Sequence, residues 1–277
     1  MLFDAHNHIH LGPSKVTDLI PKQPLPLPLP FAGIALMSTH PRDFDIVTST
    51  CSTLSQNEKI HAIPCYGLHP WFIHELENEQ NHDNNSDTIK QCFHQIEDLL
   101  SQNPNACVGE IGLDGARWTN PQTKELSTPM PIQQTIFETQ LQIAYTCNRP
   151  VSVHVVHAWG PFFQSMKRMK MKLPTKMYMH AFGGKPMVVN QIIRTCSKTK
   201  FFFGFAPMIN FRSHRVKDVI QAVGIDRLLL ETDLENGKLV YDDLCKGATL
   251  IADALDMPID VVLEKTYQNA QEFYGFQ

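Results

Sequence analysis

LFDAHNHIH, residues 2–10, passes from an apolar run into two histidines two positions apart, His6 and His8. Side chains two apart share a face of an extended chain, so both can grip one cation at a strand's end. The same design recurs with Glu110 in CVGEIGLD, His154 in PVSVHVVHA, His180 in MYMHAFGG and Asp233 in LLLETD. Metal-binding side chains this far apart in sequence meet at one point if the strands are parallel and closed into a barrel, because their C-terminal ends then share one face. The expected architecture is an α/β fold, a (β/α)8 TIM barrel forming a single domain over residues 1–277.

The rest of the chain keeps this rhythm, short apolar runs alternating with stretches of helical period. Eight strands are expected at residues 2–5, 33–38, 61–66, 106–111, 151–155, 176–179, 201–205 and 227–231. Helices are expected near 43–56, 87–102, 131–147, 159–171, 186–197 and 212–223, with two more at 242–255 and 258–273. Pro131 and Pro186 sit at helix starts, where a missing N–H is harmless, and Gly224 follows a helix as its stop. The first connection lacks an obvious helix. It holds PKQPLPLPLP, residues 21–30, which is expected to cross the surface as an extended polyproline stretch. The polar, asparagine-rich stretch from Glu75 to Asp87 reads as a solvated loop with no catalytic role.

Composition narrows the class of function. Hydrophobic residues at 43% and charged residues at 19% supply ample material for a soluble globular core. A formal charge of −4 argues against a broad basic footprint for nucleic acid, yet a bound metal pair adds positive charge that no residue count contains. The seven cysteines form no C-x-x-C pair, which fits reduced, buried thiols in a cytoplasmic protein; a nuclear location is left open, though no basic cluster demands it. The first strand begins at Leu2, so no signal peptide is expected, and no apolar run reaches the ~18 residues of a membrane span.

Histidine and carboxylate together suit two divalent ions, zinc first by ligand type, with magnesium or manganese as the oxygen share rises. Two ions about 3.5–4 Å apart activate water and stabilise charge on a phosphoryl oxygen. Asp233 is the candidate general base, with a purely ligating role as its alternative. Glu110 can bridge the ions. His69 in YGLHPW is a candidate contact to substrate phosphate or a packing histidine, His157 a substrate contact or a loop histidine, and Trp71 a base-stacking or core residue.

DAHNHIHLG, YGLHPW, VGEIGLDG, PVSVHVVHA, MHAFGG and LLLETD together resemble the successive motifs of the TatD family of metal-dependent deoxyribonucleases, in family order and spacing. IQQTIFETQLQIA is similar to the helix before the family's fifth strand, and YQNAQEFYGF to its closing segment. The resemblance implies an amidohydrolase-type barrel, two divalent ions, and hydrolysis of DNA phosphodiesters, often from the 3′ end. It implies His6 and His8 at the first metal, Glu110 bridging, Asp233 shared at the first ion, and His154 and His180 at the second. It places His69 near the scissile phosphate. The departures lie around the site: Val156 stands where the family has arginine, LEN follows ETD, and Gly115 replaces an aromatic residue. The expected substrate is single-stranded or frayed DNA. The alternatives are a deacylase removing D-amino acids from charged tRNA with the same metals, and a barrel scaffold that binds a protein partner.

Overall fold

The structure, a computed structural model, describes residues 1–12, 29–56, 60–82, 88–120 and 122–277. Eight parallel strands form one sheet: β1 (Leu2–Asn7), β2 (Phe31–Met37), β3 (His61–Tyr66), β4 (Cys107–Asp114), β7 (Val151–Val156), β8 (Lys176–Met179), β9 (Lys200–Gly204) and β10 (Leu228–Leu229). The short antiparallel pair β5 (Trp118–Asn120) and β6 (Glu125–Leu126) stands outside it. The two edge strands meet. Ala5 N–H donates to the Leu230 carbonyl at 2.8 Å and Asp233 N–H to the His6 carbonyl at 2.9 Å, which brings the sheet round into a nearly closed barrel.

Strands of such a barrel are covered on both faces, so they read as continuous apolar runs. Phe3, Ala5, Ala35, Met37, Ile63, Cys65, Cys107, Tyr178, Phe202 and Leu229 form an inner cluster. Their neighbours Leu2, Ile34, Leu36, Val108, Val151, Val153, Phe201 and Phe203 belong to the outer layer, packed under helices. Between the strands lie α1 (Phe44–Ser55), α2 (Ile73–His82), α3 (Thr88–Gln102), α4 (Met130–Thr146), α5 (Trp159–Arg168), α6 (Pro186–Thr195), α7 (Pro207–Asn210) and α8 (Val216–Val223). Gly224 ends α8 at φ 75°, a left-handed conformation that glycine adopts without steric cost.

After β10 come α9 (Gly237–Leu255) and α10 (Ile259–Tyr274). The end of α10 packs into the inner cluster through Ala270, Phe273 and Tyr274, and the Tyr274 hydroxyl donates to the Ala5 carbonyl at 2.6 Å. Phe276 stacks on Phe3 at 4.8 Å. The opposite end of the barrel carries the site. Among the described residues no helix is long and apolar enough to cross a membrane.

The solvated loop expected from Glu75 to Asp87 is corrected over Glu75–His82, which lies in α2. Ile73 and Leu76, three apart on one face, are buried and give the helix a packing edge that its polar composition hides. Residues 83–87 lie outside the described residues, as does most of the proline-rich stretch. Of that stretch, Leu29 and Pro30 are described: Leu29 N–H donates to the Tyr241 hydroxyl at 3.0 Å, and the Pro30 carbonyl accepts from Leu2 N–H at 3.0 Å.

Candidate metal centre

Strand alternation alone would turn two of the candidate ligands the wrong way. Phe3 and Ala5 face inward on β1, so His6 falls on the outer face; Cys107 faces inward on β4, so Glu110 does too. Both strands slip by one residue at that place. Three steps on β1, from Asp4 to Asn7, oppose two on β2, from Ile34 to Leu36. Likewise Val108 to Ile111 on β4 opposes Val151 to Val153 on β7. A one-residue bulge re-aims every side chain that follows it. Glu110 and Asp114 accordingly share a face on β4 while Ile111 and Leu113 pack in the outer layer.

The six candidate ligands converge. His6 Nε2 and His8 Nε2 lie 3.2 Å apart. Glu110 Oε2 is 3.5 Å from His6 Nε2 and 3.2 Å from His8 Nε2, and Asp233 Oδ1 is 3.6 and 3.4 Å from the same two atoms. The other Glu110 oxygen, Oε1, faces the second pair: His180 Nε2 at 2.6 Å and His154 Nδ1 at 3.0 Å. His154 Nδ1 and His180 Nε2 are 3.3 Å apart. Each oxygen of one buried carboxylate thus serves one pair of histidines.

The partners on the far side of the rings decide what those nitrogens offer. His8 Nδ1 meets the Met37 carbonyl at 2.9 Å, and a carbonyl only accepts, so Nδ1 carries the proton and Nε2 turns a lone pair to the centre. His154 Nε2 meets Asp114 Oδ2 at 3.1 Å, which leaves Nδ1 as its inward lone pair. His6 Nδ1 pairs with Ser152 Oγ at 2.9 Å. At His8 and His154 the inward atom is therefore a lone pair that faces a carboxylate oxygen, 3.2 and 3.0 Å away, an arrangement that repels itself unless positive charge lies between them. In keeping with that demand, burial pulls His8 and His154 down, yet hydrogen bonds with Asp233, Asp114 and Glu110 outweigh it and push them up to about 10 and about 9. Burial would raise Glu110, but the surrounding histidines, His180 and His69 foremost, hold it well below the usual carboxylate range. The donor set fits divalent cations.

His69 differs from the other histidines. Its Nδ1 accepts from the Trp71 backbone N–H at 3.2 Å, so the proton sits on Nε2, which donates to Glu110 Oε1 at 3.2 Å. Burial holds it down to about 4, and the ring is a neutral donor aimed into the site. Trp71 lines the same pocket, its indole N–H donating to Asp114 Oδ2 at 2.6 Å. His157 is exposed, at φ 50°, and lines a neighbouring cleft instead of this pocket. Gly115 has a steric reason: a Cβ there would lie 2.7 Å from the His157 carbonyl oxygen.

Sequence reasoning left out Ser152, Asp114 and Glu231. Ser152 is two residues before His154 and Asp114 four after Glu110, the even spacing that puts side chains on one strand face. Glu231 comes two residues before Asp233. It accepts from the Tyr178 hydroxyl and the Ala181 N–H, each at 2.6 Å, and one of its oxygens lies within 4.8 Å of a ring nitrogen of His6 and of His180.

The sequence model of the family described as TatD related DNase matches residues 3–275. The chain is 24% identical to the Cut9-interacting protein scn1 of Schizosaccharomyces pombe, over 98% of each chain. It is 25% identical to human deoxyribonuclease TATDN3, over 87% of this chain and 83% of that one. The crystal structure of YJJV, a TatD homologue from Escherichia coli K12, superposes with a TM-score of 0.72 at 20% identity, covering 100% of this chain and 98% of that one. Fold and motif order agree with a match that leaves out only two residues at either end, and the chain belongs to the TatD related DNase family.

Proposed function

We propose that this protein is a divalent-metal-dependent nuclease that hydrolyses phosphodiester bonds in single-stranded or frayed DNA from the 3′ end. The observation that carries the reading is Glu110, whose two oxygens each face a separate pair of inward histidine nitrogens. His6, His8, Asp233 and Glu110 Oε2 would hold one ion; His154, His180 and Glu110 Oε1 the other. Zinc suits this donor mix first, with manganese or magnesium as alternatives. Cations held there supply Lewis-acid polarisation of a phosphoryl oxygen and acidify water.

The chain's own groups do the rest. Asp233 turns Oδ1 to His6 and His8, and its second oxygen, outside those contacts, takes the proton of the attacking water. His69 Nε2–H donates to a phosphoryl oxygen as charge builds on it. Glu110 holds the histidines in register, and Trp71 walls the pocket where the substrate enters. The name deoxyribonuclease borne by the human relative supports DNA as substrate.

Purified, metal-loaded protein is expected to shorten 3′-labelled single-stranded DNA, and Asp233→Ala to lose at least about a thousandfold in rate while keeping its circular dichroism spectrum. Intact DNA together with deacylated D-aminoacyl-tRNA would replace this reading with the acyl-ester one. A second reading, a barrel that docks a protein partner, is favoured by the name of the scn1 relative. Protein that takes up no divalent metal in a titration would favour it over hydrolysis.

A further inference from the structure

A cleft with a cavity volume of about 400 Å³ opens beside the candidate metal centre. Its walls begin where the ligands end: Val155 and Val156 directly follow His154, and Ala181 directly follows His180. The volume falls within the ~300–1,000 Å³ of ordinary small-molecule sites. Trp159, Phe182 and Val219 line it, Trp159 and Phe182 meeting edge to face at 5.3 Å, so the lining is largely aromatic and apolar.

The rim has one sign of charge. Lys185 and Arg215 line it, both exposed, and neither forms an ion pair among the described residues; no described acidic residue lines the cleft. Asn210, buried in the wall, donates through Nδ2 to the Ala181 and Phe182 carbonyls at 3.3 and 3.2 Å, while its buried Oδ1 has no hydrogen-bond partner. An aromatic, apolar lining and two cations that form no ion pair among the described residues are complementary to a ligand with a flat ring and an anionic group.

We propose that this cleft is a nucleotide subsite, taking the nucleotide next to the scissile bond with its base against Trp159 and Phe182 and its phosphate between Lys185 and Arg215. The proposal rests on the nuclease reading for the bond that is cut and adds what holds the neighbouring nucleotide. Val156 lines the cleft and is half-buried, so a bulkier side chain there occludes it.

The test compares affinities for deoxyadenosine monophosphate and inorganic phosphate by calorimetry. Phosphate alone can bind at the metal centre in wild type and variants alike, so the ratio of the two affinities isolates the cleft. Wild type is expected to bind the nucleotide at least about tenfold more tightly than phosphate, the effect of one stacked base. Val156→Phe should bring that ratio near one, and Lys185→Ala/Arg215→Ala should reduce it severalfold, which covers the case of a poorly folded Val156→Phe protein. A ratio near one in wild type, or one unchanged in both variants, overturns the subsite. Hydrolysis of 3′-labelled DNA is scored separately. DNA cut with a ratio near one defeats the subsite alone; nucleotide preference with DNA left intact defeats the nuclease reading alone.

Discussion

His69 and His154 have ring centroids 4.5 Å apart and touch the same Glu110 oxygen, yet their protons sit on opposite sides. The Trp71 N–H at His69 Nδ1 forces the proton of that ring inward, whereas Asp114 at His154 Nε2 forces the proton of that ring outward. One ring is a donor to whatever enters the site and the other an electron-pair source for a cation. His69→Ala should therefore leave metal stoichiometry unchanged, read by elemental analysis, while kcat on single-stranded DNA falls roughly 10²–10³-fold, as for loss of one donor to a developing oxyanion. Loss of metal in that variant would sink the donor assignment. Asp114→Asn acts on the other ring. An amide can turn its NH2 to His154 Nε2 and let the ring reverse its tautomer, so divalent-metal affinity is expected to drop roughly 10–100-fold in an isothermal titration. Unchanged affinity would mean that Asp114 serves only the Trp71 indole and the backbone N–H groups of Ala116 and Arg117, which it also accepts.

At the scale of elements, the strands aim these groups, and the bulges in β1 and β4 decide the aim. β4 past its bulge runs close to β7, and Gly112 makes that approach possible: a Cβ there would lie 1.9 Å from the His154 carbonyl oxygen. Gly112→Ala must push the two strands apart where they carry Glu110 and His154. It should cost on the order of 1–3 kcal/mol, seen as a lower urea midpoint, and weaken metal binding as well. A wild-type midpoint would show that the strands yield without strain. The eight strands were legible because burial on both faces leaves apolar runs such as FFF at 201–203 and LLL at 228–230, bounded by polar segments. The bulges were not, since one extra residue changes the facing of a side chain without changing composition. That is why reading His6 and Glu110 as strand-end residues brings them into one cluster by a route that omits how they turn inward. The helix over Glu75–His82 was hidden for a related reason, its buried residues among those described being only Ile73 and Leu76. The candidate ligands themselves stood out because histidines and carboxylates are rare inside apolar runs; Ser152 and Asp114 did not, being ordinary polar residues whose partners lie distant in sequence.

Across the whole molecule the barrel divides its work between two ends. α10 plugs one end with Phe273 and Tyr274, joined by Phe276 just past the helix, and their contacts are packing and one hydroxyl bond to Ala5. At the other end three residues, His157, Ala181 and Asp233, hold left-handed conformations at φ 50°, 41° and 56°, strain that non-glycine residues bear only where their surroundings impose it. Two of them adjoin or are candidate ligands, and the lone pairs of His8 Nε2 and His154 Nδ1 face Glu110 oxygens at 3.2 and 3.0 Å. Cations at that end would relieve the repulsion in the folded chain and find no such cluster in the unfolded one, so binding must raise stability. At metal concentrations about a hundredfold above Kd the gain is about 2.7 kcal/mol, which for a chain of this size corresponds to roughly 4–6 °C in Tm. Chelation should lower Tm by that amount, and re-addition of zinc or manganese should restore it. Glu110→Gln, which removes the charge shared by both histidine pairs, should shrink the difference between loaded and chelated protein even if its own fold is intact. A melting temperature indifferent to chelator in protein verified to carry metal beforehand would place the ion somewhere other than among these six side chains.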